Sequence, residues 1–217
     1  IAYQKLEEGV GVSRDEILKN VKNNLAKDGW IKGTDGFLQK TTTDKKKKKI
    51  TATLEFSIST GNAPELAKTA ELIKQDLAAI GMKVGIKTFE VGNLNESVIR
   101  PRKYDALLFL QIINRESDLF AFWHSSQRKD PGLNVAMYTN TKVDKILEDA
   151  SITIDEQSRI KKYAQFENEI KKDIPAVFLY SPNFIYVVPK KLKGFSVNHI
   201  VSPADRFSNI YSWYTET

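Results

Sequence analysis

The stretch from Tyr104 to Trp123, YDALLFLQIINRESDLFAFW, decides the fold. Its first half is an uninterrupted apolar run, Ala106 to Leu110, extended by Ile112 and Ile113. Such a run bounded by polar residues predicts a strand covered on both faces, at the centre of an α/β sheet. The character then changes. Asn114, Arg115, Glu116, Ser117 and Asp118 are polar, and Phe120, Phe122 and Trp123 follow them. Ligands of α/β sheets gather beyond the carboxyl ends of central strands. The expected binding residues are therefore Gln111, Asn114, Glu116 and Asp118, with Phe122 and Trp123 beside them. The competing reading is a plain strand-to-helix loop whose two aromatics belong to the core of a short helix.

Upstream of this stretch, Ile50 to Ser59 alternates. Ile50, Ala52, Leu54, Phe56 and Ile58 fall on one side and Thr51, Thr53, Glu55, Ser57 and Ser59 on the other, which predicts one half-buried strand. Thr60-Gly61 breaks it. Asn62 with Glu65 has capping-box spacing, and Leu66, Ala70, Ile73, Leu77 and Ile80 recur at helical spacing up to Gly81. Met82, Val84 and Ile86 alternate as a second strand. Strand, helix and strand with short links form a βαβ unit with parallel strands. After a loop and short helix over Val91 to Arg100, the strand Tyr104 to Ile112 completes a β-α-β-α-β order. The fold class is α/β, a mixed sheet flanked by helices, with Tyr104 to Ile112 central.

At the amino-terminal side, Ile17, Leu18, Val21 and Leu25 predict an entry helix over 13–29, started by Ser13 or Asp15 and ended near Gly29. Phe37 to Lys40 reads as a short strand and Thr41 to Lys49 as a polar connecting loop. Downstream, Val143, Ile146, Leu147 and Ala150 form the stripe of one amphipathic helix. Ile160, Tyr163, Phe166 and Ile170 form that of a second, capped by Asp155 and stopped by Pro175. Ala176 to Tyr180 and Phe184 to Val188 read as two strands. After Gly194 the chain is polar, with scattered Phe195, Phe207, Tyr211, Trp213 and Tyr214.

The chain has 217 residues and a net charge of +6, and five of its lysines form the single run Lys45 to Lys49. Without that run the remainder is near neutral. The run reads as a solvated hairpin tip. The alternative is a nucleic-acid or anionic-surface patch, but no aromatic interleaves the lysines as single-strand binders require. No apolar run approaches the roughly 20 residues that cross a bilayer. The chain starts with Ile1, as a processed product or a cut fragment would, so a missing targeting segment says nothing of destination. Zero cysteines exclude disulfides, thiolate catalysis and thiolate metal sites. His124 and His199 stand in no metal-ligand spacing and read as surface or loop histidines. There is no GxSxG elbow, phosphate loop or GxGxxG turn. No enzyme, metal or cofactor is expected.

The order of features resembles the carboxyl-terminal half of the peptide/nickel-type solute-binding proteins of ABC transporters. The residues that carry the resemblance are Ala26-Lys27-Asp28-Gly29-Trp30 with Asp35-Gly36, Thr60-Gly61-Asn62, and Leu77 to Val84. They continue through Tyr104-Asp105, then Asn134, Tyr138, Asn140, Val143 and Asp144, then Arg159, Tyr163 and Glu167, and finally Ile174-Pro175 and Phe178-Leu179-Tyr180. The resemblance implies the second lobe of a type II periplasmic-binding-protein-like clamp that closes with a first lobe over a peptide. Some family members take nickel chelates, sugars or other small solutes instead. It also implies an extracytoplasmic, often lipid-anchored receptor that delivers its ligand to a membrane permease. In peptide-binding members an aspartate of a D-P-D turn after the central strand holds the ligand's amino terminus. Here Glu116-Ser117-Asp118 stands there, so Glu116 or Asp118 would take that role. Residues 1–193 would form the lobe, and 194–217 a tail packed on a first lobe that this chain lacks. No nucleic-acid partner is expected.

Overall fold

Ser13 opens the first helix by accepting the Glu16 N–H on its side chain, and α1 runs over Arg14–Lys27. Leu18, Val21 and Leu25 are only half-buried, so α1 lies on the body rather than in it. Gly29, at φ +89°, takes the left-handed turn that follows the helix, a conformation cheap only without a Cβ. The computed structural model that shows this describes residues 13–113, 118–181, 185–197, 200 and 202–215.

The strands β1 (Ile31–Lys32), β2 (Leu38–Thr43) and β3 (Lys49–Thr53) form an antiparallel sheet in that order. The polar stretch Thr41 to Lys49 is thus not a loop throughout. Thr41 to Thr43 continue β2, Lys49 begins β3, and only Asp44 to Lys48 make the turn. The predicted single strand Ile50 to Ser59 is also two. At Leu54 the chain changes partner: the Leu54 N–H donates to Leu38 O at 2.7 Å, while Leu54 O accepts from the Lys83 N–H at 3.0 Å. Beyond it, β4 (Glu55–Gly61) pairs in parallel with β5 (Lys83–Phe89) on one side and with β6 (Ala106–Leu108) on the other. The βαβ reading holds, and the expected α/β class with sheets flanked by helices holds with it.

The strand order β5-β4-β6 corrects two expectations. The central strand is β4, not the apolar run of Tyr104 to Ile112, which contributes three residues at the edge. And β4 is not half-buried. Ser57, Ile58, Ser59 and Thr60 are all buried, so both faces are covered. The physical reason is that hydroxyls go inside at small cost when they have partners. Ser57 Oγ donates to Asp105 at 2.6 Å, and Thr60 Oγ1 donates to Leu108 O at 2.8 Å. The parallel and antiparallel ladders occupy separate sheets.

Helix α2 (Pro64–Ala79) crosses from β4 to β5 and packs on both. Its N-cap is Ala63, which makes no side-chain cap bond, so the Asn62–Glu65 box does not form; Pro64 at the first helical position supplies the fixed φ instead. Gly81 ends the crossover at φ +92°, as expected, and its carbonyl accepts the Leu38 N–H at 2.8 Å. A Cβ there would stand 2.9 Å from Leu38 Cγ, so this turn and the base of β2 fit only with glycine. After β5 come α3 (Val91–Leu94) and a π turn over Asn95–Ile99, which bury Leu94 and Val98.

A second body of apolar packing is helical. It comprises α4 (Asp118–Trp123), α5 (Thr141–Ile152) and α6 (Glu156–Asp173). Val143, Ile146, Leu147 and Ala150 of α5 meet Tyr163, Phe166 and Ile170 of α6 and Leu119 and Trp123 of α4 in one cluster. The predicted stripes were right except at Ile160, which is exposed. Asp155 caps α6, and Ile174 ends it in the left-handed conformation, φ +49°, before Pro175. The two strands expected over Ala176 to Tyr180 and Phe184 to Val188 do not form among the described residues; Phe184 lies outside them. Near the end, β7 (Leu192–Lys193) pairs with β8 (Tyr214–Thr215), and Tyr186, Phe195, Phe207 and Trp213 make a small aromatic cluster beside them.

Candidate functional site

Two residues set the edge strand in place. The Asp105 carboxylate accepts the Ser57 N–H at 2.9 Å and the Ser57 hydroxyl at 2.6 Å, tying the start of β6 to β4. These bonds hold the Asp105 carboxyl below its ordinary pKa, because they favour the charged form more than burial opposes it. Tyr104 donates its phenol to Val135 O at 2.5 Å and so ties the same corner to the segment before α5. Beyond Leu108 the chain leaves regular pairing at the carboxyl end of the parallel sheet. Leu110 is 54% exposed and Ile112 63%, while Gln111 and Ile113 are accounted for differently: Gln111 is half-buried, and Ile113 rests on the helical cluster. This stretch is an apolar edge.

The next described element, α4, is held from behind by one amide. Asn134 is fully buried; its Nδ2 donates to Trp123 O at 3.2 Å, His124 O at 3.1 Å and Tyr138 O at 3.0 Å, and its Oδ1 accepts the Tyr138 N–H at 3.2 Å. His124 O also accepts the Gln127 N–H at 3.0 Å, but the Trp123 carbonyl depends on Asn134, and leaving it unpaired in an apolar surrounding would cost about 1–3 kcal/mol. Trp123 is 5% exposed and packs between Tyr138, Phe166 and Phe178, with ring centroids 6.3, 6.3 and 5.9 Å away.

The network continues outward from Asn134. Tyr138 donates its hydroxyl to Asp173 at 2.5 Å, and Asn140 Nδ2 donates to the same oxygen at 2.8 Å. Burial first, and then the bond to Asp173, push the Tyr138 phenol up to about 12. The phenol and amide in turn hold the Asp173 carboxyl below its ordinary value. Asn140 Oδ1 caps α5 by accepting the N–H groups of Lys142 and Val143. Asp144 accepts the Ser125 N–H at 2.8 Å and the Ser125 hydroxyl at 2.6 Å. Asn134, Tyr138, Asn140 and Asp144 are the residues of one segment of the family resemblance, and their work here is to lock α4 onto α5 and α6. Sequence reasoning noted them without a role. The available signal was four hydrogen-bonding side chains close together, directly before an amphipathic stripe.

His124 lies in the loop after α4, as one expectation had it, but is buried rather than on the surface. Its ring stacks on Phe120 at 4.2 Å, Nδ1 lies 2.7 Å from Ser126 Oγ, and Nε2 lies 3.3 Å from Glu148 Oε1. His199 lies outside the described residues.

Of the six predicted site residues, then, Gln111 lies half-buried on the edge, and Asp118 begins α4. Phe122 is half-buried against the helical cluster, and Trp123 is inside it. Asn114 and Glu116 lie outside the described residues. Two concavities lie elsewhere, and neither holds any of the six. One of about 250 Å³ is lined by Asn95, Arg100, Asp130 and Leu133; its Arg100 is already paired with Glu96 and Asp130. The other, of about 350 Å³, is lined by Glu55, Ser57, Lys83 and Asp105; Lys83 pairs with Glu55 at 3.0 Å. Among the described residues no group of three His, Asp or Glu could hold a metal ion, and no helix is long and apolar enough to cross a membrane. Chemically, the edge offers apolar contact.

Comparison with known proteins places these features. The chain is 32% identical over 200 residues to the oligopeptide-binding protein AppA of Bacillus subtilis, covering 90% of this chain and 34% of AppA. It is 32% identical over 77 residues, 36% of this chain and 15% of the relative, to the probable D,D-dipeptide-binding periplasmic protein DdpA of Escherichia coli. The solved structure of B. subtilis AppA in complex with a nonapeptide superposes with a TM-score of 0.68 at 29% identity, covering 92% of this chain and 37% of that one. That of NikZ from Campylobacter jejuni in complex with Ni(L-His), at 23% identity, shares the fold, with a TM-score of 0.63 over 92% of this chain and 39% of that one. No protein-family model matches the chain. The chain spans about a third of the length of AppA. These relatives are binding proteins and not enzymes.

Proposed function

Because the homologues and structural neighbours of this chain are oligopeptide- and nickel-binding solute-binding proteins of ABC transporters, we propose that it is the carboxyl-terminal lobe of a peptide receptor for uptake. The observation that carries this reading is the likeness to AppA, in sequence and in fold, over nine-tenths of the chain. The receptor works outside the cytoplasm, as the name of periplasmic DdpA supports, is held there by a lipid anchor, and passes its ligand to a membrane permease. A first lobe closes on the apolar edge at Leu110 to Ile112, and residues 194–217 pack on that lobe. Exposed Ile210, Tyr211 and Tyr214 support the second point, since each would be covered there.

In this reading Gln111, Asn114, Glu116 and Asp118 line the cleft, with Phe122 and Trp123 behind them to fix the turn. A charged amino terminus shut away from water needs a carboxylate partner, because an unpaired buried charge is very costly. Glu116 and Asp118 are the carboxylates of that turn. The test is calorimetry on a receptor extended to include its first lobe, with a peptide it binds. Asp118→Asn or Glu116→Gln should weaken binding by about 1.5–3 kcal/mol. Unchanged affinity in both would remove the turn as an amino-terminus anchor.

One observation favours a second reading. The turn has Glu116-Ser117-Asp118 where peptide-binding members have D-P-D, and NikA of Staphylococcus aureus, named as a nickel-binding protein, is 24% identical over 139 residues. A receptor of the same build for a nickel chelate or another small solute would bind it, and no peptide, in the same titration.

A further inference from the structure

The hairpin of β2 and β3 extends past anything that supports it. Its register pairs Thr41 with Thr51, Thr42 with Ile50 and Thr43 with Lys49. From Thr41 to Ala52 every residue except Asp44 is exposed. Successive strand residues point to opposite faces, so this exposure means that neither face of the ribbon is covered. Three residue pairs at roughly 3.4 Å each carry the turn about 10 Å beyond the body. A two-stranded ribbon without packing is at best marginally stable in water.

The turn is built rather than slack. Asp44 Oδ1 accepts the N–H groups of Lys46 and Lys48, both at 2.8 Å, and the Asp44 N–H donates to Lys48 O at 2.9 Å. Lys47 sits at φ +59°, a left-handed position that glycine or asparagine would fill with less strain. Among the described residues, none of Lys45 to Lys49 is paired with a carboxylate. A free-standing ribbon, a strained lysine and five adjacent like charges all oppose folding, and the one carboxylate in the turn, Asp44, is bonded to backbone N–H groups and offsets only part of the charge. A polyanion outside the chain would offset the rest.

The distribution of charge selects which kind. The lysines occupy the tip alone, and the ribbon behind them is mostly threonine, with no cationic stripe such as a nucleic-acid track uses. No aromatic or arginine stands among them for base stacking or bidentate phosphate contact. Lysine is a hydrated point charge that suits a diffuse layer of phosphates. We propose that the Lys45–Lys49 tip docks electrostatically on the anionic headgroup surface of a lipid bilayer. The inference stands independently of what the lobe binds.

The test is co-sedimentation of the full chain with vesicles of phosphatidylcholine alone and of phosphatidylcholine with about 30% phosphatidylglycerol, at roughly 20 mM salt. Each lysine at such a surface contributes about fivefold to partitioning, so preference for the anionic vesicles should reach about 100-fold or more. It should vanish near 1 M salt, where screening acts within about 3 Å. Replacing all five lysines by Ser should abolish the preference; replacing them by Arg should keep it. Equal binding to both vesicles, undiminished binding of a folded Ser variant, or tighter binding to a duplex DNA than to anionic vesicles at equal phosphate would each overturn the proposal. If the Ser variant does not fold, a Lys46→Glu/Lys48→Glu pair, which leaves Asp44 and Lys47 in place, reads out the same loss.

Discussion

Asn134 has no exposed surface, whereas Ile185 and Val187 are 83% and 85% exposed. The helical cluster around α4, α5 and α6 buries an amide, a histidine and a phenol. The segments that leave it turn apolar side chains outward, at Leu110 and Ile112 and again at Val177, Leu179, Ile185 and Val187. The contrast teaches what burial depends on. A polar group goes inside when every donor and acceptor it brings finds a partner, as Asn134 does with four bonds. An apolar group stays outside when the chain at hand has nothing to lay over it.

The comparison can be broken at its strongest point first. Leu147→Ala should destabilise the chain by about 3–5 kcal/mol, measured by urea unfolding, because Leu147 is 2% exposed within the cluster. A loss under about 1 kcal/mol would mean the cluster is loosely packed. Asn134→Ala should cost about 3 kcal/mol, since it strands the Trp123 and Tyr138 carbonyls and the Tyr138 N–H, while His124 O keeps the Gln127 N–H. A neutral result would show that this amide is replaceable by water and that the buried network is incidental.

Tyr138→Phe sharpens the comparison through pH. The phenol is raised to about 12 in the fold, against about 10 in the unfolded chain. Its contribution is therefore complete below about pH 10 and lost as pH rises from about 10 to about 12, because only the unfolded state gives up the proton there. The parent should lose stability across that window faster than the Phe variant, while the variant should start about 1–2 kcal/mol lower at neutral pH. Parallel curves would remove Tyr138 as the titrating group. The smallest effect belongs to the outward segments. Val177→Ser and Ile185→Ser should each change the stability of this chain by no more than about 0.5 kcal/mol. A larger loss in either variant would mean that these side chains are already covered within this chain. In a receptor extended by its first lobe the same changes should cost more, and equal costs in both would leave the outward segments without a partner.

Much of the fold was legible because periodicity records burial. The stripes of α5 and α6, the α2 crossover and the parallel pairing of β4 with β5 all follow from it. The change of partner at Leu54 was not legible, since the alternation of Ile50 to Ser59 runs through it unbroken. Nor was the central place of β4, whose Ser57, Ser59 and Thr60 look solvent-facing until Asp105 and Leu108 O are brought beside them. The apolar run after Tyr104 suggested a centre and is an edge, because apolar composition records a need for cover and not its source. The candidate site was legible only as a position along the chain. Which way its side chains turn depends on contacts made from other segments, such as that of Asn134 with Trp123.

The base of the β2–β3 ribbon is gripped at two points. Leu54 joins Leu38 to Lys83 through its own backbone, and the Leu38 N–H reaches Gly81 O at 2.8 Å. In mechanical terms the ribbon is a cantilever whose base is tied to the parallel sheet. A load applied at the tip would reach β4 and the α2–β5 corner through those backbone bonds. Gly81 is a tight part of that clamp: at φ +92°, a Cβ would stand only 2.9 Å from Leu38 Cγ, so even alanine would force the Leu38 side chain to shift.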